Sequence, residues 1–367
     1  MRGLYVHIPF CAAKCLYCDF YSVPGRLELL DKYIEAVIVE AHGYPGQSFN
    51  TLCIGGGTPS LLGPQNLEKL MTGLRGAFDL SGLREATIEG NPESVTTGFL
   101  RVARDCGINR ISIGVQSLDD GELKKAGRVH DSPKSIDAIK LTQEAGFDNI
   151  SADIIVGLPG QTRSSLGHTL EALAGLPLTH LSVYCLSIEE GTPFAACLPD
   201  DLPGDDEQVE LFGRAAAYLQ REGFIHYEIS NFALPGRECR HNLNYWRGGE
   251  YVGLGAAASS HVDGVRYKNA ATLAGYLAHP QGARIEMERL KPEEKLAEEA
   301  MLRLRLLQEG VDTNNLATGH GCELVAKLKE RLDGQVAQKF LVKKGSCYRL
   351  PPSGVMTSNR VLAEVLA

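Results

Sequence analysis

The sequence predicts an α/β fold: a partial (β/α)6 barrel, followed by a smaller C-terminal α+β domain of winged-helix-like outline. Three observations carry the prediction. Short apolar, strand-like segments alternate with amphipathic helical ones from Leu4 to about Phe224, the pattern of a parallel sheet built from strand-plus-helix units. A glycine recurs where helices should end, at Cys106-Gly107-Ile108, Ala145-Gly146-Phe147 and Glu222-Gly223-Phe224, each set for a left-handed cap followed by a hydrophobic residue leading to the next strand. About six units fit before Pro235, short of the eight that a closed barrel needs.

In order, an apolar run Leu4, Tyr5, Val6, Ile8 reads as the first strand, and Leu29, Leu30, Tyr33, Ile34, Val37 and Ile38 then give one helical stripe from about Glu28 to Ala41. Strands are expected at 50–54, 86–89, 110–115, 150–156 and 180–186, and helices at 64–77, 95–106, 135–145, 166–174 and 208–222. The barrel is expected to occupy residues 1–236 and the second domain 237–367. In the latter, Pro292 to Gln308 is an amphipathic helix with Leu296, Ala300, Leu302, Leu304 and Leu307 apolar. A helix from about Cys322 to Leu332 and two strand-like pieces near Phe340 and Tyr348, joined by Lys343-Lys344-Gly345, complete the winged-helix-like outline. Its mixed charge offers no basic recognition helix, so scaffolding rather than nucleic-acid binding is expected.

The 367 residues can bury a proper core, and a hydrophobic content of 44% is ordinary for a globular protein. A net charge of −8 argues against a nucleic-acid footprint over the whole surface. No apolar run reaches the about 18 residues of a membrane span, which leaves peripheral membrane contact open. The ten cysteines are mostly scattered singly and no secretory apolar segment opens the chain, so a reduced, cytoplasmic protein is expected.

The strongest chemical signal is Cys11, Cys15 and Cys18, spaced C-x3-C-x2-C directly after the first strand. Such thiolates can cover one face of a [4Fe-4S] cubane, each taking one iron, and leave the fourth iron free to hold the amino and carboxylate groups of S-adenosylmethionine (SAM). A structural zinc site would want a fourth ligand, normally from a second C-x2-C-type pair, and none follows at suitable spacing. The run Cys11-Ala12-Ala13-Lys14-Cys15-Leu16-Tyr17-Cys18 resembles the motif of the radical SAM superfamily.

Other motifs fall at strand ends, where a barrel collects its chemistry. Gly55-Gly56-Gly57-Thr58-Pro59 follows the second strand, Glu89-Gly90-Asn91-Pro92 ends the third, Gln116 follows the fourth, and Asp153 lies in the fifth ahead of Gly157-Leu158-Pro159. The glycines could let backbone groups approach the methionine part of SAM; a tight strand-to-helix turn would use the same residues. Glu89 and Asp153 are costly inside apolar strands unless paired, which favours a site over scaffold.

The whole chain resembles the heme chaperone HemW family, relatives of the oxygen-independent coproporphyrinogen dehydrogenase HemN. Tyr5-Val6-His7-Ile8-Pro9-Phe10-Cys11, the glycine run, Gly114 to Ser117, Gly127 to His130, and Asp153 with Gly157-Leu158-Pro159 carry the likeness. The resemblance implies a TIM-like radical SAM barrel. It also implies that Tyr5, Gly56 and Glu89 contact the cluster-bound SAM, and that Gly57, Thr58, Gln116, Arg128 and Asp153 correspond to a second SAM position in the dehydrogenase. Tyr17, inside the cysteine motif, joins this cofactor-binding set. Phe20 stands where the dehydrogenase carries a further cysteine, and the dehydrogenase's N-terminal extension is missing, since the first strand starts at residue 4. Both departures favour the chaperone, as does His241-Asn242-Leu243-Asn244-Tyr245-Trp246, which matches the family's H-N-x-x-Y-W stretch and holds the only tryptophan.

From that likeness follow three expected cofactors or ligands: a [4Fe-4S] cluster, SAM and heme. Heme would pass to an acceptor protein, possible at the membrane. His241 is the expected axial ligand, with Tyr245 and Trp246 packed on the porphyrin and Cys239 competing for the iron. The same stretch could instead anchor the crossing into the second domain, with His241 bonded to backbone. Two other functions compete: a radical enzyme acting on a porphyrinogen, and an assembly module whose cluster is structural.

Overall fold

The computed structural model describes residues 1–281 and 284–366. Its frame is a twelve-stranded sheet whose centre is six parallel strands: β1 (Arg2–Ile8), β2 (Thr51–Gly56), β3 (Glu85–Gly90), β4 (Arg110–Gln116), β5 (Ile150–Val156) and β6 (His180–Cys185). Each after the first is reached through a helix, beginning with α1 (Leu30–Ala41) and α2 (Gly63–Ala77). The central strands are apolar on both faces because helices cover one side and the barrel interior the other. Val6, Ile54, Ile88, Ile113 and Ile154 are all fully buried in one core.

The helix boundaries follow from local chemistry. Thr96 accepts from the Phe99 amide and Asp131 from the Lys134 amide, each supplying a missing N-terminal acceptor. Gly107, Gly146 and Gly223 all take positive φ, as the recurring junction predicted.

The sheet runs on well past residue 236. After β7 (Ile225–Glu228) and β8 (Asn231–Ala233) add an antiparallel margin beside β6, the chain crosses through α3 (Arg240–Trp246) to the other edge. There β9 (Glu250–Leu254) pairs in parallel with β1, and β10 (Ser259–Val262), β11 (Val265–Asn269) and β12 (Arg284–Glu288) continue antiparallel. The expected division at 236/237 therefore falls inside the sheet. A separate apolar cluster begins only with Leu296, and gathers Ala300, Leu304, Val325, Leu332, Tyr348 and Val361.

That second unit holds α4 (Pro292–Leu304), α5 (Thr313–His320), α6 (Cys322–Ala337), a three-stranded sheet of Val311–Asp312, Cys347–Arg349 and Val342–Lys344, and a last helix Ser358–Leu366. The helices and hairpin lie where the sequence put them, with α5, the strand at 311–312 and the last helix added. Of the expected apolar stripe, Leu296, Ala300 and Leu304 enter this core, whereas Leu302 turns to a cavity on the barrel side.

Candidate functional site

Beyond Ile8 the chain stays extended, and Phe10–Cys11 pairs with Val23–Pro24. The end of β2 packs beneath it: the Gly57 amide donates to the Ile8 carbonyl at 2.8 Å and the Thr58 amide to the Phe10 carbonyl at 2.7 Å. A Cβ on Gly57 would stand 2.6 Å from that carbonyl oxygen and 3.0 Å from the Cys11 sulfur, so only glycine lets the two segments meet.

The rest of the cysteine loop is fastened by Leu16, whose amide donates to the Ala126 carbonyl at 3.1 Å and whose carbonyl accepts from Phe194 at 3.0 Å. Leu16 and Tyr17 pack on Ala126, Leu158 and Phe194, and burial raises the Tyr17 pKa. Gly127, at φ 74, is the close approach that admits Leu16.

All three loop thiols are free; Cys11 is buried, Cys15 and Cys18 half-buried. Burial pushes the Cys11 and Cys18 thiols up. Among the described residues, no three His, Cys, Asp or Glu side chains converge on one ion position; a cubane does not require it, since each thiolate takes its own iron.

A polar arc joins two of the sulfurs. Arg128 donates from Nη1 to the Cys15 sulfur at 3.3 Å and from Nη2 to Asn91 Oδ1 at 2.8 Å and the Gly114 carbonyl at 2.7 Å. Asn91 Nδ2 donates to Thr58 Oγ1 at 3.1 Å, and Thr58 Oγ1 faces the Cys11 sulfur at 3.6 Å. Among the described residues, Arg128 Nε is buried without a partner. A cation and a donor beside the thiols, an orphaned donor and the glycine approach are a donor set suited to an anionic thiolate cluster and a small polar ligand beside it.

Gln116 lies next to this arc because the register of β4 against β5 slips between Gly114 and Gln116, a β-bulge, and leaves Gln116 at φ 66. Bulges re-aim side chains in this way: Gln116 Nε2 would be 3.0 Å, and Arg128 Nη2 3.4 Å, from a Cβ on Gly114.

Glu89 Oε2 accepts from the Gly56 amide at 3.2 Å. Its pKa rises to about 7, first through burial and then through repulsion by Asp153. Asp153 accepts from Ser112 Oγ at 3.3 Å, and its own pKa is raised by burial. Gly56 itself, at φ 115, has the His7 ring 2.6 Å from where a Cβ would stand. A side chain at Gly56 would therefore collide with His7.

Sequence reasoning missed Asn91, the middle link of the arc. Its only signal was a polar residue in a strand-end Glu-Gly-Asn-Pro, which an ordinary turn also gives.

The expected axial role of His241 does not survive the geometry. Its Nδ1 bonds Thr51 Oγ1 at 2.9 Å and its Nε2 bonds the Tyr245 hydroxyl at 2.8 Å. The ring is buried, with its pKa lowered to about 3 by burial first and by Arg110 second. With both nitrogens engaged, no lone pair remains for iron. Cys239 is no better placed: it is buried, its sulfur 3.5 Å from Glu85 Oε1, and the same carboxylate caps α3 by accepting from the Arg240 and His241 amides at 2.9 Å. This H-N-x-x-Y-W helix forms a wall.

Tyr245 and Trp246 do face a cavity of about 610 Å³. Tyr5, whose hydroxyl bonds His7 Nδ1 at 2.9 Å, lines the same space, as does Phe20, which is 63% exposed. The cavity therefore adjoins the residues that follow Cys18. Its volume lies within the range of small-molecule sites, about 300–1,000 Å³.

Residues 5–173 match the family model of the Radical SAM superfamily. Over 369 residues the chain is 36% identical to the heme chaperone HemW of Lactococcus lactis, covering 100% of this chain and 97% of that one. It is 35% identical to the Escherichia coli heme chaperone HemW, covering 100% and 98%. The solved structure of the E. coli coproporphyrinogen III oxidase HemN, described as a radical SAM enzyme, superposes with a TM-score of 0.88 at 23% identity, covering 99% of this chain and 89% of that one; at that identity the likeness speaks for the fold. Matched end to end at more than a third identity, the chain belongs to the HemW family of radical SAM proteins.

Proposed function

We propose that this protein is a heme chaperone: it binds heme and passes it to an acceptor protein, and it carries a [4Fe-4S] cluster on Cys11, Cys15 and Cys18 with SAM held alongside. The observation that carries the reading is the end-to-end match to proteins named heme chaperones, which spans the aromatic-lined cavity as well as the barrel. When bound, the cluster supplies a one-electron couple and an open iron that can take SAM.

The chain's own residues do the holding. Arg128 and Thr58 donate toward the Cys15 and Cys11 sulfurs, contacts that cluster-bound sulfurs would keep. Glu89, with a single donor at Gly56, retains acceptor capacity for the SAM ammonium group. Gln116 and Asp153 extend the same polar rim. No helix among the described residues is long and apolar enough to cross a membrane.

Titrating anaerobically reconstituted protein with hemin tests the reading. Saturation at about one heme per chain is expected, with no conversion of a porphyrinogen on addition of SAM and a strong reductant. Failure to bind hemin, together with porphyrinogen turnover, would overturn it in favour of an enzyme.

A further inference from the structure

The cavity beside the cysteine loop is walled on one side by β9, β10 and β11, and side-chain alternation decides what faces it. His261 pairs with Arg266, Ser259 with Lys268, and Tyr251 with His261 across the neighbouring strand. Ser260 and Tyr267, between them, are buried on the opposite face. His261, Arg266, Lys268 and Tyr251 consequently share one face, and all line the cavity. Phe20, Trp246 and Met301 line it too, so it has the flat aromatic and apolar surfaces a porphyrin needs together with a small polar set.

We infer that His261 is the axial ligand through which this cavity takes heme iron, and that Lys268 receives a propionate carboxylate. The inference rests on the heme-chaperone reading and deepens it.

The assignment follows from which groups are already engaged. The other histidine lining the cavity, His7, has Nδ1 on the Tyr5 hydroxyl and Nε2 on the Tyr21 carbonyl, both at 2.9 Å. Tyr245 is held by His241. His261 differs: among the described residues no side-chain group is hydrogen-bonded to its ring, which leaves a nitrogen lone pair for a metal. Burial, then Arg266, lowers its pKa. Tyr251 stands beside it, ring centroids 6.3 Å apart, and the bidentate ion pair of Arg266 with Glu298 consumes that cation. Lys268 forms no ion pair among the described residues, which leaves its charge for a carboxylate of the cargo.

The test is hemin titration of full-length, anaerobically reconstituted protein, read by absorption and magnetic circular dichroism. In His261→Ala the imidazole-ligated bands should vanish and affinity fall at least about tenfold, with free imidazole restoring the bands. His261→Cys should give thiolate-type bands, a signature that misfolding cannot produce. His241→Ala should keep the wild-type bands, and Lys268→Glu should weaken binding with bands unchanged. Wild-type bands and affinity in His261→Ala would overturn the ligand assignment while leaving the chaperone reading intact, and unchanged affinity in Lys268→Glu would remove the lysine. A wild type that binds no hemin would overturn both the assignment and the reading beneath it.

Discussion

The cysteine loop and the His241–Trp246 helix are both motifs that announce a site, yet the structure leaves donors unspent around the one and makes the other a wall. In the loop, the half-buried Cys15 thiol faces Arg128 and the buried Cys11 thiol faces Thr58, and among the described residues Arg128 keeps an unused buried donor. In the helix, the two ring nitrogens of His241 and the sulfur of Cys239 already have protein partners, and Glu85 holds the helix N-terminus. A ligand-type residue becomes a ligand only where the fold leaves its lone pair unspent.

The comparison is broken most directly at the thiols. Replacing Cys11, Cys15 or Cys18 by alanine should remove essentially all of the about four irons per chain, measured by iron and sulfide analysis after anaerobic reconstitution. Cys106→Ala should retain the iron, since Cys106 is buried in the barrel's apolar core. Full iron in any of the three loop variants would show that the loop is not the cluster's shell.

The loop was legible in the sequence because its chemistry is local: three thiols within two short spacers dictate a shape. The six parallel strands were legible for a similar reason, apolar runs punctuated by helix-ending glycines. The strands from 250 to 288 were not. β12 reads Arg-Ile-Glu-Met-Glu with every residue exposed, an edge strand whose charges guard against pairing with other chains and erase any apolar period. Nor could the sequence disclose that His241 meets Thr51, since 190 positions separate the partners, or that a bulge turns Gln116 toward Arg128.

The second break in the comparison is Gly56→Val. The residue sits at φ 115 with the His7 ring 2.6 Å from a new Cβ, so strain and overpacking together should cost about 3–5 kcal/mol. Denaturant unfolding of the cluster-free protein reads this without any ligand. Wild-type stability there would mean that the glycine is kept for a ligand after all.

His241→Ala should cost about 2–4 kcal/mol, from the cavity it opens and from the Thr51 and Tyr245 hydroxyls it leaves unpaired in the interior. Thermal unfolding measures it. A stability change under about 0.5 kcal/mol, the range of an ordinary surface substitution, would contradict the wall.

The smallest and sharpest contrast lies between two glutamates whose pKa values are both raised to about 7, in each case by burial first. Glu40 accepts from the Gly255 amide at 2.8 Å, the Tyr276 hydroxyl at 2.6 Å and Asn269 Nδ2 at 2.7 Å, so its acceptor capacity is spent on the strands and helix around it. Glu89 has one donor, the Gly56 amide. In the folded chain Glu40 keeps its proton up to about pH 7, whereas in the unfolded chain it loses it near 4.5. Unfolding therefore releases a proton between those values, and this contribution to stability is whole below 4.5 and lost as pH rises through 7, by at most about 3 kcal/mol. Glu40→Gln should flatten that slope in pH-dependent denaturant unfolding and leave SAM affinity unchanged. Glu89→Gln should weaken SAM binding about tenfold, the worth of one hydrogen bond to a charged group, as read by calorimetry on reconstituted protein. Equal SAM affinities in the two variants would return Glu89 to the scaffold, alongside Glu40.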